Sequence, residues 1–249
     1  MKEEFLTGNR FGKIYRFGEV ISTMDTCEEL IKSGVGRGIV VADSQTSGRG
    51  RNAKKWISAA NGNLYFSFFE ELGPEKQAAL IPQRCAVAAF LAVKECAGDA
   101  AAAVIKWPND ILLDMKKVSG MIAKTILFEG KRFYIGGIGI NVFPPEENGM
   151  KFVWRPAALS EYTEVSTEDV LKILVKSTDF AFSAKDAEII DIYGQNINWM
   201  IGKKLVFTQD LIKRENGEIV GFSEDFSVIK ILTDEGLKEL SALSILSLT

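Results

Sequence analysis

The spacing of apolar and polar positions changes period several times along the chain, and each change predicts an element. Residues 20–25 (VISTMD) read as a strand end running into a helix N-cap, after which Cys27, Leu30 and Ile31 give a helical stripe that closes near Gly34. Residues 38–42 (GIVVA) are a short apolar run, the mark of a buried strand. From 43 to 63 the pattern collapses into DSQTSGRGRNAKKWISAANGN, polar, basic and punctuated by glycine. A loop of that length inside a compact domain is uncommon and usually functional. The aromatic-rich run 64–69 (LYFSFF) then predicts a strand.

Helical spacing returns over 75–97, with Pro82 either in the first turn or kinking the helix. Residues 104–107 and 110–113 predict strands flanking Pro108 and Asn109, and 118–128 with 133–142 predict a hairpin joined by EGKR at 129–132. Residues 144–156 read as loop, and helices follow at 167–183 and 187–200, the first opened by a Ser/Thr cap with acids behind it. Beyond Gly202 the character changes to short strands, with turns expected at 215–217 (ENG), 224–225 and 234–236. This pattern predicts an α+β domain over 1–200 and a small all-β unit over 201–249.

Composition narrows the chemistry. The chain has 249 residues, 47% hydrophobic and 25% charged, with a formal charge of −3, which argues against a disordered or globally cationic protein. It contains no histidine. Ser-His-Asp triads, Cys-His dyads, HExxH zinc helices and two-His iron sites each need imidazole and are excluded. Catalysis must draw on carboxylates, lysines, arginines, backbone amides or a bound cation. Cys27, Cys85 and Cys96 form no CxxC pair, and an odd count argues against a secreted disulfide framework, so a reducing cytoplasm is the simplest setting. Residues 1–10 lack the apolar core of a secretory signal, and the longest apolar run, 85–93, is far short of the roughly 20 residues a membrane span needs.

Several segments carry candidate chemistry. In Gly48-Arg49-Gly50-Arg51, alternating glycine and arginine lets backbone N–H groups and guanidinium forks converge on one anion; read alone, the same residues also fit a solvated turn. Lys54, Lys55 and Trp56 add cations and an indole suited to stacking on a base or to packing beside a strand. In Lys106-Trp107-Pro108-Asn109-Asp110, proline holds Trp107 extended and Asn-Asp favours a tight turn, which either simply joins two strands or aims Lys106, Asn109 and Asp110 at one spot. Lys116-Lys117-Val118-Ser119-Gly120 places a lysine pair at a strand entry, as surface charge or beside a ligand that glycine lets approach. Gly136-Gly137-Ile138-Gly139-Ile140-Asn141 lacks the third glycine of a dinucleotide fingerprint and ends in a strand, which rejects that motif and suggests a flat floor with Asn141 as its polar handle.

In this order and spacing, Ser22-Thr23, Gln45, GRGR, KWPND, KVSG and GIGIN resemble the biotin protein ligase family over about residues 20–142. The resemblance implies a mixed sheet with flanking helices, related to class II aminoacyl-tRNA synthetases, plus a C-terminal SH3-like β-barrel. It implies an enzyme of the short type, without the N-terminal winged helix-turn-helix of many members. It would activate biotin with ATP, with Mg²⁺ assisting, as biotinyl-5′-AMP, and pass the biotin to a lysine of a biotin carboxyl carrier domain. Neither DNA nor membrane is an expected partner, and homodimer formation stays open.

By resemblance, Ser22, Thr23 and Gln45 would hold the biotin head group, with Met24 contributing backbone, and Arg49, Gly50 and Arg51 would bind carboxylate and phosphate. Lys117 would contact the reacting carboxylate and α-phosphate. Asn109 and Asp110 would sit by the adenylate, Asp110 also as acceptor of a proton from the target lysine. Trp56 would lie by the adenine, and Gly120, Gly137, Gly139 and Asn141 would line the floor and nucleotide pocket. No metal ligands are assigned. The chain departs from the family pattern at Met24, where asparagine is common, at Ala53 and Lys54 after GRGR, at Ser119, where alanine is common, and at Gly221-Phe222-Ser223. Lipoate or octanoate attachment by the same fold is the competing enzymatic reading. Nucleic-acid binding through Arg49–Lys55 is the non-enzymatic one, weakened by net acidity and a single short basic cluster.

Overall fold

The computed structural model describes residues 1–51, 56, 62–73, 80–145, 155–208, 214–242 and 247–248. Its first body is an eight-stranded sheet in the order β1-β2-β3-β4-β8-β7-β6-β5. The strands are β1 (Lys2–Phe5), β2 (Lys13–Val20), β3 (Arg37–Gln45), β4 (Leu64–Glu71), β5 (Ala103–Lys106), β6 (Asp110–Leu113), β7 (Lys116–Phe128) and β8 (Lys131–Ile140). Only β2 and β3 pair in parallel, and helix α1 (Thr23–Lys32) is their crossover; the other neighbours are antiparallel, so the sheet is mixed. The N-terminal hairpin of β1 and β2 has no counterpart in the sequence pattern.

Both faces of the central strands are covered. On β4, Leu64, Phe66 and Phe68 enter the larger core under α2 (Ile81–Ala97), α3 (Thr167–Ser183) and α4 (Asp186–Ile197), while Phe69 packs on the other face with Met24, Cys27 and Ile31 of α1. That double burial explains why LYFSFF reads as a continuous apolar run rather than an alternation. Helix α2 is apolar almost all round because it lies between the sheet and α3. Pro82 sits in its first turn, where no backbone N–H is needed, and the expected start at 75–79 lies outside the described residues. The middle of the expected loop, 146–154, also lies outside them.

The C-terminal body is a five-stranded antiparallel sheet in the order β12-β11-β10-β9-β13, built from β9 (Lys204–Thr208), β10 (Arg214–Phe222), β11 (Val228–Thr233), β12 (Gly236–Ser241) and β13 (Ser247–Leu248). The turn expected at 215–217 is absent: Glu215, Asn216 and Gly217 are ladder residues paired with Phe207, Val206 and Leu205. Gly217 is there for closeness, since a Cβ on it would stand 2.3 Å from Ile231 Cγ2.

The two bodies share one core. Leu205, Phe207, Ile219, Ile229, Ile231 and Leu240 join the cluster of α4, Met200 and the sheet. Phe226, at positive φ (57°), lays its ring 5.1 Å from that of Tyr193 and over Gly194. Among the described residues no helix is long and apolar enough to cross a membrane.

Gly136 faces the α2 side, where an added Cβ would stand 2.4 Å from Phe68 Cζ, whereas Gly18 on β2 has open space. Gly136→Ala is therefore expected to cost about 1–3 kcal/mol through overpacking, with Gly18→Ala close to neutral, as read by chemical denaturation.

Candidate active site

Strand register assembles the site. On the α1 face one row of partners runs Lys106, Asp110, Gly120, Gly139, Tyr65, Ala42 across successive strands, and the row beside it runs Ile122, Gly137, Ser67, Val40. Charge stands at one end, hydroxyl groups at the other, and side-chain-free backbone between them. The glycines that make the floor are Gly120, Gly137 and Gly139; Gly136, one residue off, belongs to the opposite face.

The hydroxyl end is set by the start of α1. Ser22 is extended (φ −156°, ψ 137°) and makes no side-chain cap; its carbonyl accepts from Thr26 N and Thr26 Oγ1. Gln45, at the end of β3, supplies the cap instead: its Oε1 accepts from Thr23 N at 2.8 Å and from Thr23 Oγ1 at 3.2 Å. Ser22, Thr23 and Met24 are buried. The thioether of Met24 lies over Gly137, 3.0 Å from where a Cβ would stand. Ser67, fully buried on β4, shares a 2.7 Å hydrogen bond with Thr23 Oγ1. Sequence reasoning missed Ser67; the available signal is one hydroxyl in a run of aromatics, in a strand whose both faces are buried.

The GRGR segment leaves β3 through Thr46 N and Ser47 N, which donate to Val20 O and Ile21 O, and Trp56 N donates back to Gly48 O. Its guanidinium groups do not converge on one point. Arg49 Nη2 donates to Asp25 Oδ2 on α1 at 2.7 Å, whereas Arg51 donates to Asn109 Oδ1 at 3.3 Å and to the Ala242 carbonyl. The cause is tertiary: a carboxylate on α1 and a carbonyl on the C-terminal body each offer one fork its own partner. Burial lowers the Arg51 guanidinium, partly opposed by Asp110. Trp56 lies flat over the glycine floor, 2.5 Å from a Cβ on Gly139 and 2.8 Å from one on Gly120, with Lys117 Nζ 5.4 Å from its ring centroid. Ala53, Lys54 and Lys55 lie outside the described residues.

The KWPND turn is tied on several sides. Its Trp107–Pro108 bond is cis, Trp107 N donates to Met200 Sδ, and Trp107 Nε1 donates to Phe226 O at 2.8 Å. Asn109 and Met121 exchange hydrogen bonds, Nδ2 to O at 2.9 Å and N to O at 3.0 Å. Asp110 is buried with Lys117 Nζ 2.6 Å from Oδ1 and Lys106 Nζ 3.3 Å from Oδ2. Burial alone would raise its carboxyl, but Lys117 and Lys106 outweigh that and hold it below the ordinary carboxylate range. Lys106 is itself lowered by burial, against the pull of Asp110. Lys117 is thus brought to the floor, its backbone clamped by Arg155 O and Ala157 N.

Asn141, expected as a polar handle on the floor, is engaged with the 157–159 segment. Its Nδ2 donates to Ala157 O at 3.0 Å and its carbonyl accepts from Leu159 N, so it holds the segment that clamps Lys117. Cys27 and Cys85 are buried thiols pushed up by desolvation, Cys85 to about 12, which makes neither a nucleophile.

The site is a floor of glycines with a cationic end and a hydroxyl end, on a mixed sheet. Comparison with known proteins agrees. The Biotin/lipoate A/B protein ligase family matches residues 17–142, and the chain belongs to that family. It is 39% identical over 126 residues to the bifunctional ligase/repressor BirA of Bacillus subtilis, covering 49% of this chain and 38% of that protein. Over 104 residues it is 33% identical to the biotin–[acetyl-CoA-carboxylase] ligase of Paracoccus denitrificans, covering 41% and 43%. The chain thus spans about two fifths of the length of the curated relatives it matches. Among solved structures, biotin protein ligase from Aquifex aeolicus in complex with biotin and ATP superposes with a TM-score of 0.71 at 30% identity, covering 95% of this chain and 98% of that one.

Because the Asp110 carboxyl lies low in the folded chain, the unfolded chain takes up its proton first as the pH falls. Its contribution to stability is present above the ordinary carboxylate value near 3.9 and is lost below it. Asp110→Leu, which leaves Lys106 buried without its partner, is expected to cost about 3–5 kcal/mol at pH 7, with Lys106→Met restoring much of the loss in the double variant. Denaturation curves of the variants between pH 3 and 7 check both statements.

Proposed function

We propose that this chain is an ATP-dependent biotin ligase that activates biotin as biotinyl-5′-AMP and transfers it to a lysine of a biotin carboxyl carrier domain. The single observation that carries this reading is the row through Asp110, Gly120 and Gly139, with Lys117 held on Asp110, beside the row that carries Gly137 and Ser67 under Thr23. A relative of matching length, biotin protein ligase from Aquifex aeolicus, was solved with biotin and ATP, which supports the same reading.

The chemistry follows from charge. A biotin carboxylate oxygen attacks the α-phosphorus of ATP, and the bond from that phosphorus to pyrophosphate breaks. Two anions must approach, and the protein's means of allowing it are fixed cations: Lys117 on the floor, with Arg49 and Arg51 moving from Asp25 and Ala242 to the ligand. The ε-amine of the acceptor lysine then attacks the anhydride carbonyl, AMP departs, and the amine's proton is released. Asp110 is not our proton acceptor, because a carboxyl held low by two lysines is a weak base; we assign it the placing of Lys117. Trp56 and Asn109 border the nucleotide side, Ser22, Thr23, Met24 and Gln45 the head-group side, and Gly50 keeps the loop backbone free to approach.

Among the described residues no three His, Cys, Asp or Glu side chains cluster as metal ligands, and both Asp110 oxygens face lysines. Magnesium would therefore enter with the nucleotide, as part of that substrate. We read 1–200 as the catalytic unit and 201–249 as an SH3-like barrel, supported by the five antiparallel strands. No observation favours DNA binding. A lipoyl or octanoyl head offers no polar group to the Thr23–Gln45 end, where a biotin head group does.

Incubation with ATP, biotin and a biotin carboxyl carrier domain is expected to give biotinylated carrier; folded protein that makes none would overturn the reading. Lys117→Ala should keep the fold and lower biotin-dependent pyrophosphate release by roughly 10²–10³-fold, the scale of losing one charge-stabilising group. Unchanged release would make Lys117 surface charge only.

A further inference from the structure

We infer that Ser67 is a further specificity-determining residue of the head-group end, acting through Thr23; the inference rests on the reading of this pocket as a biotin site. Ser67 is fully buried at the centre of β4, with Val40 and Gly137 as its register partners. It faces the α1 side, and its Oγ would stand 3.4 Å from a Cβ on Gly137, next to the Met24 thioether. Ser67 and Met24 therefore border the same space over the floor. A hydroxyl among Tyr65, Phe66, Phe68 and Phe69 is costly to bury unless it is hydrogen-bonded, and its bond is to Thr23.

Proton counting gives this bond its meaning. Thr23 Oγ1 lies 2.7 Å from Ser67 Oγ and 3.2 Å from Gln45 Oε1, and it has one proton for the two contacts. The Gln45 oxygen can only accept. Either Ser67 donates to Thr23 and Thr23 to Gln45, or Thr23 donates to Ser67 and the Ser67 proton turns away from Thr23. Rotation about two C–O bonds interconverts them. In the first arrangement the Ser67–Thr23 pair offers lone pairs to the pocket; in the second it offers an O–H. A cyclic urea, with N–H and C=O side by side, meets either. A dithiolane or a plain acyl chain meets neither and gains no hydrogen bond from the pair, so it forgoes the contact that biotin makes.

Calorimetric titration of biotin and of lipoate into wild type, Ser67→Ala, Thr23→Val and the double variant tests this, with the KM for ATP measured alongside. Ser67→Ala is expected to weaken biotin roughly tenfold, the scale of one hydrogen bond, to leave the KM for ATP unchanged, and to narrow the preference for biotin over lipoate. Added to Thr23→Val it should cost little more, because its effect runs through Thr23. Ser67→Cys, which keeps the volume and replaces the hydroxyl by a weak donor, should behave like Ser67→Ala and covers the case in which alanine impairs folding. Biotin affinity within about twofold of wild type in both variants, or equal losses for biotin and ATP, would overturn the inference while leaving the ligase reading intact. Wild-type protein that binds no biotin would sink the reading, and the inference with it.

Discussion

Asp110 carries two lysines in a place with little water, and the rest of the site is arranged around that fact. An isolated carboxylate there would protonate, and an isolated Lys106 would lose its charge; together with Lys117 they remain ionised. The pair Lys106 and Asp110 closes the β5–β6 hairpin, and Asp110 pairs through its backbone with Gly120 on β7. One carboxylate therefore ties together the turn, the adjacent strand and the position of the Lys117 cation. Hydrophobic replacement of a buried ion pair is often neutral for stability, yet here it would leave Lys117 without an anchor, so the cluster matters for placement.

The glycine rows solve a second problem. A flat ligand needs backbone at van der Waals distance, but a sheet normally covers its backbone with side chains on alternate positions. Here Gly120, Gly137 and Gly139 remove them from one face, while Ile138, Ile140 and Tyr134 on the other face of β8 keep the core full. Trp56 then rests on bare backbone, and Lys117 stands beside its ring. The same alternation explains why Gly136 is structural: it makes room for Phe68 and not for a ligand.

Much of this was legible in the sequence because the signals were local. The helix after Ser22, the hairpin around Pro108 and Asn109 and the long β7–β8 hairpin all follow from spacing and turn residues over short stretches. Three features were not. Strand β1 (KEEF) is exposed along its length, so it carries no alternation to read. Asn216-Gly217 has turn chemistry, but Gly217 is demanded by Ile231 on a strand that the sequence reader has not yet reached. Arg49 and Arg51 look equivalent in GRGR, and only the tertiary structure puts Asp25 beside one and Ala242 beside the other. Ser67 is a case of the same kind, since its partner Thr23 is 44 residues away.

The ties from the KWPND turn to the C-terminal sheet bear on how the chain comes to be active during synthesis. Trp107 donates to a carbonyl 119 residues later, and Arg51 to one 191 residues later. Until residue 226 has been made, the indole N–H of Trp107 has no carbonyl to meet, and Arg51 waits until residue 242. A growing chain can pack the large sheet and its helices early, and the docking C-terminal sheet then adds the Trp107 and Arg51 ties to a turn already held by Asn109, Met121 and Met200. A chain that has not yet reached the C-terminal sheet therefore holds Trp107 and Arg51 without the carbonyl partners that this sheet gives them.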